Sequence, residues 1–313
     1  MFKIACVFPG QGSQYVGMGQ ELCNSFPELL SYFQEAEATL GIDLRGLCFS
    51  GPEEKLKSTS NTQPALLTIS MICYEALRKS GVTPHCLAGH SLGEYSALVA
   101  AGSISFSEAL LLVRQRGLLM EEAYPVGAGG MAAVLGLEAN TVEEVCREVA
   151  EVGFVQIANF NCPGQLVISG EKNALVRIIE LLKKAGAKKV IELNVSGPFH
   201  SQLMRKASSK FASYLDKTGI LEPSLPVIAN VNAAYLTTSP EIRKSLAAQI
   251  YSPVLWEESV RKLYADGIRV FIEVGPGKVL SGLIKKTVKD ATILNVEDRA
   301  SLENTLTKLR KCM

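Results

Sequence analysis

The stretch AGHSLGEYSAL, residues 88–98, sets Ser91 between glycines at 89 and 93. CLAG before it reads as a short strand and LGEYSALVAAG after it as a helix, so the serine falls on a strand-to-helix joint. A G-x-S-x-G sequence at such a joint is a nucleophile elbow. The sharp turn exposes the hydroxyl, and the glycines let the chain pass close without a Cβ in the way. The following helix aims free N–H groups at the joint, which places the N–H of Leu92 to bind an oxyanion. A second donor has to come from another loop. FPGQGSQ, residues 8–14, follows the first apolar run and bares its backbone at Gly10 and Gly12, so the main-chain N–H of Gln11 is the candidate. No G-K-[ST] follows, which excludes a phosphate loop.

A serine hydroxyl needs a base, and histidine suits neutral pH. The chain has three. His85 follows Pro84 and reads as a surface residue. His90 adjoins Ser91 across a sharp turn and reads as packing beneath the elbow. His200, in SGPFHS, sits where a Gly-Pro turn opens the helical pattern SQLMRKASSKFASYL, and it is the expected base. An acid between serine and histidine in chain order would complete a hydrolase triad. The interval holds mostly acids on helix surfaces, such as Glu121, Glu143, Glu148 and Glu171, and none sits at the end of a core strand, so the expectation is a Ser–His dyad. A carbonyl oxygen would then hold the ring tautomer, an arrangement that suits an activated thioester better than an amide.

One cation is out of place. In SFSEALLLVRQRGLLMEEAY, Ala109, Leu112, Val113, Leu119, Met120 and Ala123 share a helical face, and Arg116 falls in its middle. Arg114, Glu121 and Glu122 fall elsewhere; Leu110, Leu111 and Leu118 make a second side apolar. A guanidinium does not shed its charge, and burying it unpaired costs several kcal/mol. It therefore needs an anion. That is either a protein carboxylate in a structural ion pair or a substrate carboxylate held in a two-pronged fork.

The elements that must hold these residues alternate along the chain. Lys3–Phe8, Cys86–Gly89, Pro226–Ala229, Ile268–Glu273 and Thr292–Asn295 read as strands. Pro64–Lys79, Leu92–Ala101, Ser105–Ala123, Pro240–Ile250 and Val254–Ala265 read as helices. The expected class is α/β, a large hydrolase-like domain with a mainly parallel sheet covered on both faces. One interval breaks the rhythm. Met131–Leu137, Thr141–Glu151, Phe154–Ala158, Gln165–Ser169, Glu171–Ala185 and Lys188–Leu193 spell β-α-β-β-α-β, a ferredoxin-like subdomain inserted at 126–195. It divides the large domain into 1–125 and 196–313.

Composition narrows the class. The 313 residues are 47% hydrophobic, 20% charged and 7% aromatic, with a net charge of +1, which gives no electrostatic case for nucleic acid or an anionic membrane. No apolar run approaches the ~20 residues of a spanning helix, and the N-terminus lacks a signal peptide's core. Eight scattered cysteines, none in a C-x-x-C pair, point to buried thiols in a reducing cytoplasm. No zinc spacing is visible, and no metal or cofactor is expected.

Taken together, FPGQGSQ, GHSLGEYSAL, VRQRGLLM, IANFNCPGQLVISG, SGPFHS, AQIYSPVLWEESV and FIEVGPGKVL resemble the malonyl-CoA:acyl carrier protein transacylases, in the family's order and over nearly the whole chain. The resemblance implies a ping-pong transfer for bacterial-type fatty acid synthesis. Malonyl passes from coenzyme A to Ser91 as an ester, then to the phosphopantetheine thiol of acyl carrier protein. It implies His200 as base then acid, Gln11 and Leu92 as oxyanion donors, and Arg116 as binder of the malonyl carboxylate. It also implies that the main-chain carbonyl of Gln249 orients the histidine. The implied partners are malonyl-CoA and a transient, acidic acyl carrier protein, acting on a cytoplasmic monomer. Basic residues at 183, 184, 188, 189, 205, 206 and 210 offer a docking surface for the carrier, or are ordinary solvated helix faces. Two other readings stay open: a serine thioesterase or hydrolase of acyl-CoA, and a non-catalytic carrier-protein binding module.

Overall fold

The computed structural model describes residues 2–125 and 127–312. Val126, at the expected start of the inserted unit, lies outside the described residues, as does the side chain of Cys312. The chain opens with β1 (Lys3–Phe8), followed by α1 (Gln20–Ser25), α2 (Leu30–Leu40), α3 (Leu44–Ser50), α4 (Glu53–Lys57) and α5 (Thr59–Lys79). β2 (Cys86–Gly89) leads into α6 (Gly93–Ala100) and α7 (Phe106–Glu122). Next come β3 (Gly129–Leu135), α8 (Ala139–Glu148), β4 (Val155–Cys162), β5 (Gln165–Glu171), α9 (Lys172–Lys184) and β6 (Lys189–Glu192). The remainder is α10 (Arg205–Lys217), β7 (Val227–Ile228), β8 (Tyr235–Leu236), α11 (Ser239–Gln249), α12 (Trp256–Ala265), β9 (Ile268–Val274), α13 (Val279–Thr287), β10 (Thr292–Val296) and α14 (Arg299–Cys312).

The first sheet has six strands in the order β10-β9-β1-β2-β7-β8. All its pairings are parallel except β7 with β8. In β2 every residue is buried and in β1 all but Lys3. Such unbroken apolar runs are what a parallel sheet covered on both faces requires. The second sheet has four strands, β4-β5-β3-β6, with every pair antiparallel. It packs with α8 and α9 around its own apolar cluster, which includes Val142, Ile157, Ile168 and Ile178. Hydrogen bonds from β4 to the segment before α12 join the sheets, Phe160 N to Val254 O at 2.9 Å and Val254 N to Ala158 O at 2.9 Å.

Several elements depart from the sequence reading for local reasons. β4 runs to Cys162 rather than ending at Ala158, because register shifts at Ile157/Asn159 and Phe160/Cys162 break the two-residue alternation that marks a strand. α5 begins at Thr59, with Pro64 inside it. The carbonyl of Ser60, four residues before the proline and left without an amide partner, accepts a hydrogen bond from Arg114 Nη1 at 2.7 Å. Strand β8, an antiparallel edge of two residues, was not anticipated from the sequence. On α7, Leu111 is 51% exposed, so the second apolar side is only partly covered, whereas Leu110 is fully buried.

The elbow itself is set by steric crowding. A Cβ on Gly89 would lie 1.9 Å from the Gly93 carbonyl carbon, and one on Gly93 would lie 2.0 Å from the Phe8 carbonyl oxygen. Both contacts are to backbone, which cannot swing aside. Gly93→Ala should therefore destabilise the protein by about 3 kcal/mol or more, the upper end of overpacking costs, seen as a lower denaturant midpoint. A midpoint within error of the parent would show that the loop after β1 does not press on the elbow.

Candidate active site

The parallel strands β1, β2 and β7 end on one side of the first sheet, where an open α/β sheet carries its ligand crevice. A cleft of about 560 Å³ lies there, with Gln11, Ser91, Leu92, Arg116 and His200 in its wall and with Met131, Asn159, Asn161 and Val167 of the second sheet facing them. A depression of about 800 Å³ at the opposite end of the sheet, near Lys3, His85 and Asp266, contains none of these residues.

Ser91 and His200 both sit in the left-handed backbone region, with φ of 51° and 57°. Each such residue costs of order 1–3 kcal/mol and persists only where its surroundings hold it. For Ser91 the hold is visible. The side chain of Asn230, just beyond β7, accepts from Ser91 N at 2.6 Å and donates to Gly89 O at 2.7 Å. Gln249 Nε2 donates to Ser91 O at 3.0 Å. The N–H of His200 donates to Ile250 O at 3.2 Å.

The two side chains meet: Ser91 Oγ lies 2.8 Å from His200 Nε2. His200 Nδ1 lies 2.8 Å from Gln249 O. A carbonyl only accepts, so Nδ1 carries the proton and Nε2 is free to accept the serine hydrogen. Gln249 is the last residue of α11, whose final carbonyls have no partner within the helix and are available to a side chain. His200 is buried, and its pKa is pushed down to about 3, first by burial and second by the positive charge of Arg116.

Arg116 is 1% exposed, on α7, whose start is capped by Ser105. Its Nη2 donates to Ser91 Oγ at 3.1 Å and to Gln249 Oε1 at 2.9 Å. Its Nε has no partner, and the guanidinium carbon lies 5.4 Å from the centre of the Tyr95 ring. Among the described residues no carboxylate forms an ion pair with it. A structural ion pair is thus not what holds this charge. It remains a donor with unused capacity beside the serine.

Gln11 and Leu92 line the same cleft, and among the described residues neither backbone N–H has an acceptor. The Gln11 side chain donates to Thr59 Oγ1 at 3.3 Å, which fixes the loop to the start of α5. His90 lies beneath the elbow, 2.9 Å from Asn161 Oδ1 and edge-on to Trp256. His85 is exposed, and its Nδ1 accepts from Ile4 N at 3.2 Å. The four acids weighed from the sequence are elsewhere. Glu143 and Glu148 are exposed, Glu121 accepts from Thr59 N at 2.6 Å, and Glu171 accepts from Phe154 N at 2.8 Å.

Three contributions escaped the sequence reading: Asn230, the side chain of Gln249, and Glu94. Glu94 is fully buried on α6 and accepts from Asn230 N at 2.9 Å and Gln249 Nε2 at 2.8 Å. The signal for it was the one that found Arg116, a charge on an otherwise apolar helix.

A serine hydroxyl against a histidine whose tautomer a carbonyl fixes, two backbone N–H groups without acceptors and a buried cation are the parts that acyl transfer requires. The acyl transferase domain family matches residues 5–310, and the chain belongs to it. The malonyl CoA-acyl carrier protein transacylase of Bacillus subtilis is 49% identical over 312 residues, covering 99% of this chain and 98% of that protein. The transacylase of the same name from Haemophilus influenzae is 45% identical over 303 residues, covering 96% and 97%. Among solved structures, the malonyl CoA-acyl carrier protein transacylase from Clostridium perfringens superposes with a TM-score of 0.96 at 43% identity, covering 99% of this chain and 98% of that one. A malonyl-transacylase in complex with its type II PKS acyl-carrier protein gives 0.96 at 44%, covering 98% and 99%. Within the acyl transferases, the chain belongs to the malonyl CoA-acyl carrier protein transacylases.

The depressed His200 pKa makes a prediction. The imidazole should stay neutral, with Nδ1 protonated, from about pH 8 down to about pH 5, well below the ordinary histidine midpoint near 6.5. Imidazole nitrogen NMR shifts of His200 should be flat over that range. A midpoint near 6.5 would show that neither burial nor Arg116 acts on the ring.

Proposed function

We propose that the protein transfers malonyl from coenzyme A to the phosphopantetheine thiol of acyl carrier protein, through an ester on Ser91, to supply fatty acid synthesis. The observation that carries this reading is the Arg116 guanidinium, buried, without a carboxylate partner and 3.1 Å from Ser91 Oγ. A planar fork in that place complements an acyl group that ends in a carboxylate.

In the first half-reaction Ser91 Oγ attacks the thioester carbon while its proton passes to His200 Nε2. The tetrahedral oxyanion is held by the N–H groups of Gln11 and Leu92, each worth roughly 3–4 kcal/mol in sites of this kind. Collapse breaks the C–S bond, and the proton on His200 goes to the departing coenzyme A sulfur. In the second half-reaction the carrier's thiol gives its proton to His200 and attacks the ester, and collapse returns the proton to Ser91. The imidazolium has no carboxylate behind it, only Gln249 O, and it stands near Arg116. That strained ion must return its proton quickly, which a good leaving group such as a thiolate permits.

The carrier brings an acidic surface, and Lys183, Lys184, Lys188, Lys189, Arg205, Lys206 and Lys210, all exposed, are the basic residues offered to it. We take residues 126–195 as an inserted unit within a larger domain of 1–125 and 196–313; the separate apolar cluster around α8 and α9 supports that division. The placement is cytoplasmic. Seven cysteines are free thiols, and no helix among the described residues is long and apolar enough to cross a membrane.

Two substitutions test the reading. Ser91→Ala should abolish the mass adduct left by malonyl-CoA; an adduct that survives would move the nucleophile elsewhere. Arg116→Ala should lower malonyl transfer 100-fold or more, on the order of losing one charge-assisted pair, and lower acetyl transfer far less. Equal losses for the two acyl groups would remove the carboxylate clamp.

A further inference from the structure

Behind Arg116 lies a second buried charge that the transfer steps above do not use. Glu94, on α6, is fully buried, as is Gln249, which stands between it and Arg116. The carboxamide of Gln249 donates from Nε2 to Glu94 Oε2 at 2.8 Å and accepts at Oε1 from Arg116 Nη2 at 2.9 Å. An acid, an amide and a guanidinium thus form one chain, with the acid at its buried end and the cation against the cleft. Each charge is costly to bury alone, and the amide dipole lies in the sense that couples the two.

The two oxygens of Glu94 are not equivalent. Oε2 accepts from both Asn230 N, at 2.9 Å, and Gln249 Nε2. Oε1 has a single long contact, 3.5 Å to Ser245 Oγ, a hydroxyl that either donates or accepts. A proton on Oε1 therefore disturbs neither bond at Oε2, and the Gln249 amide keeps its orientation toward Arg116 in both protonation states.

An acyl group that ends in a carboxylate brings a second negative charge to a cluster that is neutral without it. We infer that Glu94 is the resident counter-charge of Arg116 and takes a proton from solvent when the malonyl carboxylate docks, releasing it when malonyl leaves, so that Glu94 tunes the preference for acyl groups bearing a carboxylate. This rests on the reading of Arg116 as the carboxylate clamp. The acid is in the right range to do it: burial pushes its pKa up to about 7, against the opposing pull of its hydrogen bonds and of Arg116. The groups facing it leave that titration to Glu94. α7 presents Arg116, which stays charged; α11 presents Ser245 and Gln249, and the loop after β7 presents Asn230, all neutral. Tyr95, next on α6, is held protonated by burial. His200 lies on the far side of Gln249 and titrates well below this range.

The test compares kcat/KM for acylation of the intact enzyme by malonyl-CoA and by acetyl-CoA across pH, so that the titrations of coenzyme A and of His200 cancel in the ratio. As pH rises through about 7, Glu94 of the free enzyme ionises and repels the incoming carboxylate. The malonyl-to-acetyl ratio should fall about tenfold between about pH 6 and 8.5, the factor that one unit of pKa coupling gives. Glu94→Gln keeps the shape and both bonds at the Oε2 position and has no charge to lose, so its ratio should be independent of pH. A flat ratio in the parent enzyme overturns the inference, and so does an unchanged fall in Glu94→Gln. If that variant does not fold, the parent profile decides alone. Selective loss of malonyl transfer in Arg116→Ala together with a flat parent profile would retain the clamp and discard the role of Glu94. Loss of both acyl groups alike in Arg116→Ala would discard the clamp itself.

Discussion

A positive charge that cannot be shed lies 99% buried beside a serine hydroxyl, and the architecture of the cleft follows from how that charge is held. Arg116 reaches the site from the apolar face of α7, so the helix cannot turn to present it to water without exposing Ala109, Leu112 and Val113. Its two protein acceptors are neutral oxygens, the Ser91 hydroxyl and the Gln249 carboxamide. Neutral acceptors leave the guanidinium with donor capacity facing the cleft, and this suits it to receive an anion. Burial first, and this charge second, keep His200 unprotonated, with Nε2 free to accept a hydrogen. One residue thus bears both on the charge of the cleft and on the protonation of His200.

The Ser91–His200 pair is held by hydrogen bonds to its backbone as much as by packing. Ser91 and His200 occupy left-handed conformations that side chains avoid, and each is tied at its own amide or carbonyl. Gln249 connects the two. Its main chain fixes the His200 ring, while its side chain reaches the Ser91 carbonyl, Arg116 and Glu94. Because Gln249 ends α11, helix geometry supplies the unpaired carbonyl and the apolar helix face supplies the burial. A buried carboxylate, Glu94, does lie behind the cleft wall, where it meets Arg116 through Gln249 and not the histidine.

Much of this was legible in the sequence because it depends on local pattern. The strand-turn-helix around Ser91, the charge on the apolar face of α7, the alternation of strands and helices, and the β-α-β-β-α-β interval are all read from neighbouring residues. What was not legible depends on contacts distant in sequence. Asn230 clamps the elbow across 139 residues, and nothing near it in the chain marks it as different from any polar residue after a strand. The full length of β4 was hidden because its two register shifts interrupt the alternation that betrays a strand. Glu94 was within reach. It stands on α6, where every residue from Gly93 to Leu98 is buried, and the reasoning that singled out Arg116 applies to it equally.

The family, the fold and the geometry converge on a cleft where a strained, pre-assembled serine and histidine stand beside a buried cation. The most direct test is a crystal structure of the enzyme trapped as the malonyl ester of Ser91. The account predicts the distal carboxylate in a two-pronged contact with the Arg116 guanidinium, with the ester carbonyl oxygen between the N–H groups of Gln11 and Leu92. A carboxylate turned to solvent, with Arg116 still bound to Gln249 alone, would contradict it.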